Sequence, residues 1–211
     1  MAQAVPERIR DADRTRADLL AVATEVFAEQ GLSGARVDEI ADRTRTTKRM
    51  LYYYFGSKEQ LYRAVLEQAY RGIRDAENQL SVGDLSPLDA VRRVAEVTFD
   101  HHLSHPAFIR LVSIENIHFG AHVRQIEALR ELGTPALSLL EGILERGQRE
   151  GVVRADVDAL DVHLVISGFC VFQVANRSTV SHLFGRDMAA PEVQDRHRRL
   201  IGDLVTAWLA A

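Results

Sequence analysis

Apolar residues return every third or fourth position through most of the chain, a spacing that turns one stripe of a helix towards a core. Leu19, Val22, Ala23, Val26 and Phe27 form the first stripe, and Gly31 follows where a helix commonly closes on a glycine. Two short stripes come next: Val37, Ile40 and Ala41, then Leu51 and Phe55, with Arg45-Thr46-Thr47 between them. That spacing has room only for two short helices joined by a turn. Ser57-Lys58-Glu59-Gln60 has the S-x-x-Q form of a capping box, so a longer fourth helix starts there and runs through Leu61, Val65, Gln68 and Ile73 towards Leu80. Ser86-Pro87, His105-Pro106 and Thr134-Pro135 mark later starts, because proline in the first turn forfeits no hydrogen bond. Gly83, Gly120, Gly133 and Gly151 mark stops. Residues 1–12 carry no sustained stripe and read as a mobile arm. With no alternating pattern longer than a few residues, the expectation is an all-α protein of nine or ten helices.

Two late segments differ in kind. Leu164 to Phe172 is apolar all round, which in a protein in water requires burial on opposite sides at once. Val193, Leu200, Ile201, Leu204, Val205, Trp208 and Leu209 make a stripe on a terminal helix whose other face carries Arg196, Arg198 and Arg199. Two such helices from each of two chains close a four-helix bundle across a two-fold axis, with Val165, Phe169, Phe172, Leu200, Ile201, Leu204, Val205 and Trp208 as the expected interface. The alternative is that both segments bury within one chain.

Composition narrows the picture. A length of 211 residues with 46% apolar content suffices for a packed core. A formal net charge of −4 and a pI near 6.1 exclude a basic surface overall, so any contact with nucleic acid must be a local patch. Cys170 is the single cysteine, and neither a leader pattern nor a run of about 18 apolar residues is present. The expectation is a cytoplasmic protein in a reducing compartment.

One stretch departs from that charge balance. From Arg43 to Lys58 the chain reads RTRTTKRMLYYYFGSK, with five basic residues, three consecutive tyrosines and no acid. It coincides with the turn and the third helix of a three-helix head, the plan in which the last helix lies in the DNA major groove and the one before it crosses the backbone. Thr46 and Thr47 stand where a cap is needed, and the positive end of the helix would face phosphate. Lys48 and Arg49 project where side chains reach base edges, while Tyr52, Tyr53 and Tyr54 offer hydroxyls and ring faces to the sugar-phosphate wall. Lys58, in the first turn of the fourth helix, is unfavourable for the helix dipole and is better explained by an external anion.

FAEQG (Phe27–Gly31), Ile40-Ala41 and above all LYYYFGSKEQLY (Leu51–Tyr62) resemble the N-terminal domain of the TetR family of transcriptional regulators, over roughly residues 14–65. The resemblance implies a dimeric, all-helical repressor whose C-terminal domain binds a small molecule and respaces two DNA-reading heads. It matches Thr47, Lys48, Arg49, Tyr52, Tyr54 and Lys58 to places that contact DNA. Two departures stand out. Where the family commonly has Gly-Val in the turn, this chain has Arg45-Thr46, so either the turn is built differently or Arg45 is strained, in exchange for a phosphate contact. Ala35-Arg36 replaces a threonine-rich entry to the second helix and leaves Arg36 as the backbone contact on that side.

The division expected is an arm and helix-turn-helix head over 1–57 and a helical effector-binding and dimerisation domain over 58–211. In the second part, Phe108, Leu111, Val112 and Phe119 share a face on which Glu115 falls, followed by Asn116. A carboxylate on an apolar stripe is paired, neutralised or used. Two readings stay open: a buried polar pair with backbone, Arg110 or Arg124, or an effector pocket lined by Phe99, Glu115, Asn116, Phe169, Phe172, Gln173 and Asn176. His101, His105 and Glu115 could in principle share a metal, but His105 precedes Pro106, where a helix ends, so no metal and no cofactor are expected. No HExxH pair, nucleophile elbow, phosphate loop or dinucleotide fingerprint appears, so an enzyme is not expected. A head that binds protein is kept open by the unusual turn and disfavoured by the acid-free helix. The function expected is a ligand-responsive transcriptional regulator, a repressor released from a palindromic DNA operator by a small molecule.

Overall fold

The computed structural model describes residues 7–211, with side chains for all but 7–11 and 132–136. Among the described residues it is all-α, with ten helices in order: α1 Glu7–Gly34, α2 Val37–Arg43, α3 Lys48–Phe55, α4 Lys58–Asn78, α5 Pro87–Ser104, α6 Pro106–Ile117, α7 Glu127–Arg149, α8 Ala159–Ala175, α9 Arg177–Phe184 and α10 Pro191–Leu209. A 3₁₀ turn, Val123–Gln125, precedes α7. An isolated bridge between Val153 and Ala210 is the only extended pairing among the described residues.

The chain divides into two compact units. The first comprises α1 to α3, the start of α4 through Ala69, and Arg110–Ile126; the second comprises Tyr70–Ile109 and Glu127–Ala211. In the first, the expected stripes are the core: Leu19, Phe27, Ile40, Leu51, Leu61 and Tyr62 are wholly buried. The Tyr62 ring meets Phe27 edge-on at 5.0 Å between centroids. In the second unit α5 packs against α10, α8 and α7, and their shared core joins Val91, Phe99, Leu140, Ile166, Cys170, Ile201 and Val205. Arg92 to Asp203 at 2.7 Å and Arg198 to Glu96 at 3.0 Å tie α5 to α10.

Several boundaries differ from the sequence reading. Of the arm expected over 1–12, residues 7–12 already belong to α1, and 1–6 lie outside the described residues. Gly31 is a kink with φ 66°, beyond which three more residues keep helical bonding to Gly34. α7 starts at Glu127, not at Thr134-Pro135, and its backbone runs through Gly133; an acid in the first turn and the buried Ile126 just before it supply the start. Phe119 does not share the buried face of Phe108 and Leu111, because α6 has ended at Ile117 and Phe119 turns out at φ 57°, 80% exposed.

Candidate nucleic-acid interface

The turn between α2 and α3 is tied to the end of α2. Thr44 Oγ1 donates to the Ile40 carbonyl at 2.8 Å, and the N–H groups of Arg45 and Thr46 donate to the carbonyls of Asp42 and Ala41. Arg45 closes the turn at φ 52°, a region glycine enters freely and arginine does not. The turn thus keeps its left-handed residue, and Arg45 carries the strain. Thr47 is the cap: its Oγ1 accepts from the Met50 N–H at 3.2 Å.

α3 divides cleanly. Leu51 and Phe55 are buried, whereas Lys48, Arg49, Tyr52 and Tyr53 are exposed, and Tyr54 is half-buried with its ring 5.5 Å from that of Tyr53. The Arg16 guanidinium sits over the Phe55 ring at 5.2 Å, fixing α1 behind α3 by a cation–π contact. Arg36, exposed, stands at the N-cap position of α2 with no capping hydrogen bond from its side chain. Lys48 Nζ lies 3.1 Å from the Asp38 carboxylate on α2, an exposed pair. Lys58 has an acceptor inside the chain, the Ser33 carbonyl at 3.5 Å, where the sequence reading left it to an external anion. Gly56 suits its position because its φ is 77°; the Gln60 amide beside it is the end of a flexible side chain and could move aside. Ser57 Oγ accepts from the Gln60 N–H at 3.1 Å, the serine half of the capping box, while the Ser57 N–H donates to the Phe55 carbonyl at 2.9 Å.

Glu115 is buried and committed. It accepts from the N–H groups of His122 at 3.0 Å and Val123 at 3.2 Å, and His122 Nδ1 lies 3.0 Å from its other oxygen. Burial alone would raise its carboxyl, but these donors together with the Tyr62 hydroxyl outweigh burial and hold its pKa below the ordinary range. The buried-pair reading therefore fits Glu115, with His122 in place of Arg110 or Arg124, and the same carboxylate lines an open pocket together with Tyr62, Ile114 and His118. The His122 ring in turn meets Tyr62 edge-on at 5.1 Å. Asn116 is exposed and bonds back to the Val112 carbonyl.

Of the remaining pocket set, the Phe99 and Phe169 rings lie 6.3 Å apart, and Gln173 Oε1 is 2.9 Å from His197 Nδ1. Asn176 closes α8, and Phe172 stands 51% exposed, which removes it from any interior lining. On α5, His101 stacks on His105 at 4.1 Å, and both His101 and His102 meet Phe108 edge-on. Burial, then the charges of His105, His102 and Arg74, push His101 down to about 4; burial likewise pushes His102 to about 4. Among the described residues no three His, Cys, Asp or Glu side chains converge as a metal site. Burial first, then the Asp100 charge, pushes the Cys170 thiol up to about 12, so it is a packing group.

The expected interface divides. Ile201 and Val205 are wholly buried in their own chain and are corrected to core; Phe169 and Trp208 are partly buried on the same core. Leu164, Val165 and Phe172 on α8, with Leu200 and Leu204 on α10, remain exposed. Sequence periodicity could not have supplied Asp38, Arg16 or His122, because each meets its partner across a turn or between helices.

Comparison with known proteins covers both parts of the chain. A family model described as bacterial regulatory proteins, tetR family, matches residues 19–65, and one for the tetracyclin repressor-like C-terminal domain matches 87–205. The HTH-type transcriptional repressor NicS of Pseudomonas putida is 36% identical over 197 residues, covering 93% of each chain. The HTH-type transcriptional repressor SCO4008 of Streptomyces coelicolor is 28% identical over 155 residues, 72% of this chain and 74% of that one. The crystal structure of SCO4942 from Streptomyces coelicolor superposes with a TM-score of 0.70 at 28% identity, covering 92% of this chain and 98% of the other.

Proposed function

The chain belongs to the TetR family of bacterial regulatory proteins, and on that premise we propose that it is a homodimeric, ligand-responsive transcriptional repressor that a small molecule releases from a palindromic operator. The observation that carries the DNA-reading role is α3: capped by Thr47, free of acids, and exposing Lys48, Arg49, Tyr52 and Tyr53 on one face. Lys48 and Arg49 read base edges in the major groove. Arg36, Arg45 and Lys58 meet phosphate, Thr47 orients the helix end towards the backbone, and Tyr52, Tyr53 and Tyr54 line the sugar-phosphate wall. Lys48 must leave Asp38 to do so. An exposed pair of that kind holds at most about 1 kcal/mol, so one base contact can outweigh it.

Repression as the direction of control is supported by the named repressors NicS and SCO4008. Residues 1–57 are assigned to DNA reading and 58–211 to effector binding and dimerisation, in a cytoplasmic regulator without enzymatic activity. Within the second part, Phe99, Phe169, Gln173 and Asn176 are the proposed effector-facing set. Two heads related by a two-fold axis read half-sites one helical turn or a multiple apart.

Fluorescence anisotropy on a generic duplex tests the phosphate contacts without knowledge of the operator. The logarithm of affinity should fall with the logarithm of salt concentration by several units, and Lys58→Ala should reduce that slope by about one. An affinity independent of salt would remove the electrostatic contact surface and with it the proposed role of α3.

A further inference from the structure

Between the end of α1, the start of α4 and the segment that closes α6 lies an open cavity of about 390 Å³, within the size range of small-ligand sites. Every residue that lines it belongs to the first unit, whereas the proposed effector-facing set belongs to the second. Two backbone departures border it. Gly31 kinks α1 at φ 66°, just before Leu32 and Ser33 on the cavity wall, and a Cβ built on it meets nothing within 4 Å. Across the opening, Phe119 and Gly120 take φ 57° and 67° in succession. That region is costly for any residue with a β-carbon, and the Phe119 ring gains no burial in return, standing 80% exposed beside Ile117 at 70%. The segment is nonetheless firmly held: the Gly120 N–H donates to the Glu115 carbonyl at 2.7 Å, and the Glu115 side chain takes the N–H groups of His122 and Val123. Strain fixed in place to present an exposed ring at the rim of a cavity has no explanation in the packing of this chain, and ligand clamps are where such strain collects.

Charge selects the occupant. Glu115 is the one acid in the lining, and the lining holds neither lysine nor arginine. Two cations, Lys58 at the Ser33 carbonyl and Arg124 beside Gly120, stand outside it. Burial works against the Glu115 charge, but the donors of Val123, His122 and Tyr62 keep the carboxylate ionised. We infer that this cavity binds a small organic cation with an apolar or aromatic body, a second ligand site lying in the same unit as the helix-turn-helix. The field of Glu115 and the Phe119 ring hold the positive charge, while Leu32, Ile114 and Ile117 cover the body. The oxygens of Glu115 already accept from two backbone N–H groups, the His122 ring and the Tyr62 hydroxyl. It therefore attracts through its field rather than by a new hydrogen bond, which suits a cation that brings no N–H of its own, such as a quaternary ammonium. An anion is repelled by the same field, and an uncharged molecule gains only the apolar contacts.

Calorimetric titration of the full chain with three probes that share a benzyl body tests this: benzyltrimethylammonium, benzyl alcohol and phenylmethanesulfonate. The cation should bind at least about tenfold more tightly than the alcohol, and the sulfonate should not bind. Glu115→Gln should bring the cation down to the level of the alcohol. Phe119→Ala, at an exposed position, should weaken the cation about two- to fivefold and leave the circular dichroism unchanged. Ala121 lines the cavity and is exposed, so Ala121→Trp should fill the space without disturbing the core and abolish binding. The same position locates the ligand: Ala121→Cys should react with a maleimide more slowly when the cation is present, while the buried Cys170 stays unreactive. Those last two variants carry the test even if Glu115→Gln does not fold. Equal affinity for cation and alcohol, tighter binding of the sulfonate, or cation binding untouched by Ala121→Trp would each overturn the inference.

Discussion

Arg45 holds a φ of 52° at the tightest point of the turn that feeds α3, where a β-carbon is crowded. Arg45→Gly should relieve that crowding and raise stability by about 0.5–1 kcal/mol, less than the full left-handed penalty because glycine also frees the unfolded chain. DNA affinity should fall in the same variant, since the guanidinium is lost. Thermal unfolding and anisotropy on one preparation check both; an unchanged affinity would assign Arg45 no DNA role. Glu115 is the second residue with a distinct signature. Removing its charge in Glu115→Gln should cost about 1–3 kcal/mol, because the donors of His122 and Val123 lose an ionised acceptor. Its folded pKa lies below the ordinary 4.5, so the stability it contributes is fully present above that value and is lost as pH falls through the lowered one. Glu115→Gln should therefore lack that acid step in a series of unfolding curves against pH. The stripe already marked Glu115 as a carboxylate needing a partner; it could not show that the partner is His122, seven residues on and past the end of α6, because that contact depends on the turn taken at Phe119 and Gly120.

Elements built on a single apolar stripe were legible from spacing. α2, α3 and the start of α4 fall where Ile40, Leu51 and Phe55 and the capping box at Ser57 put them, since local capping and periodicity decide such short helices. α7 was not, because Thr134-Pro135 mimics a start within a helix whose first turn at Glu127 carries only a weak local signal. α8 reads as apolar all round, yet one chain buries only part of it and leaves Leu164, Val165 and Phe172 exposed. α5 carries a property that follows from packing rather than pattern. His101 and His102 are buried neutral at about 4 against an ordinary 6.5, so between these values the unfolded chain binds more protons and stability falls as pH falls. His101→Phe or His102→Phe should each flatten that dependence by up to about one proton in the slope of unfolding free energy against pH. An unaltered slope in both would show that neither histidine is held neutral.

For the whole molecule, a formal net charge of −4 coexists with a local basic face, so the proposed reading gives the binding of DNA to α3 and its flanks rather than to overall charge. The proposed dimer supplies the rest: one head would read too few base pairs to specify a site, whereas two heads on a two-fold axis would read a palindrome. The measurement that bears most directly on this is selection of random duplex DNA by the purified protein at physiological salt, run in parallel with the Lys48→Ala/Arg49→Ala double variant. The parent should enrich a palindromic sequence and the double variant should enrich none while remaining folded. Enrichment of the same sequence by both would contradict base reading by α3.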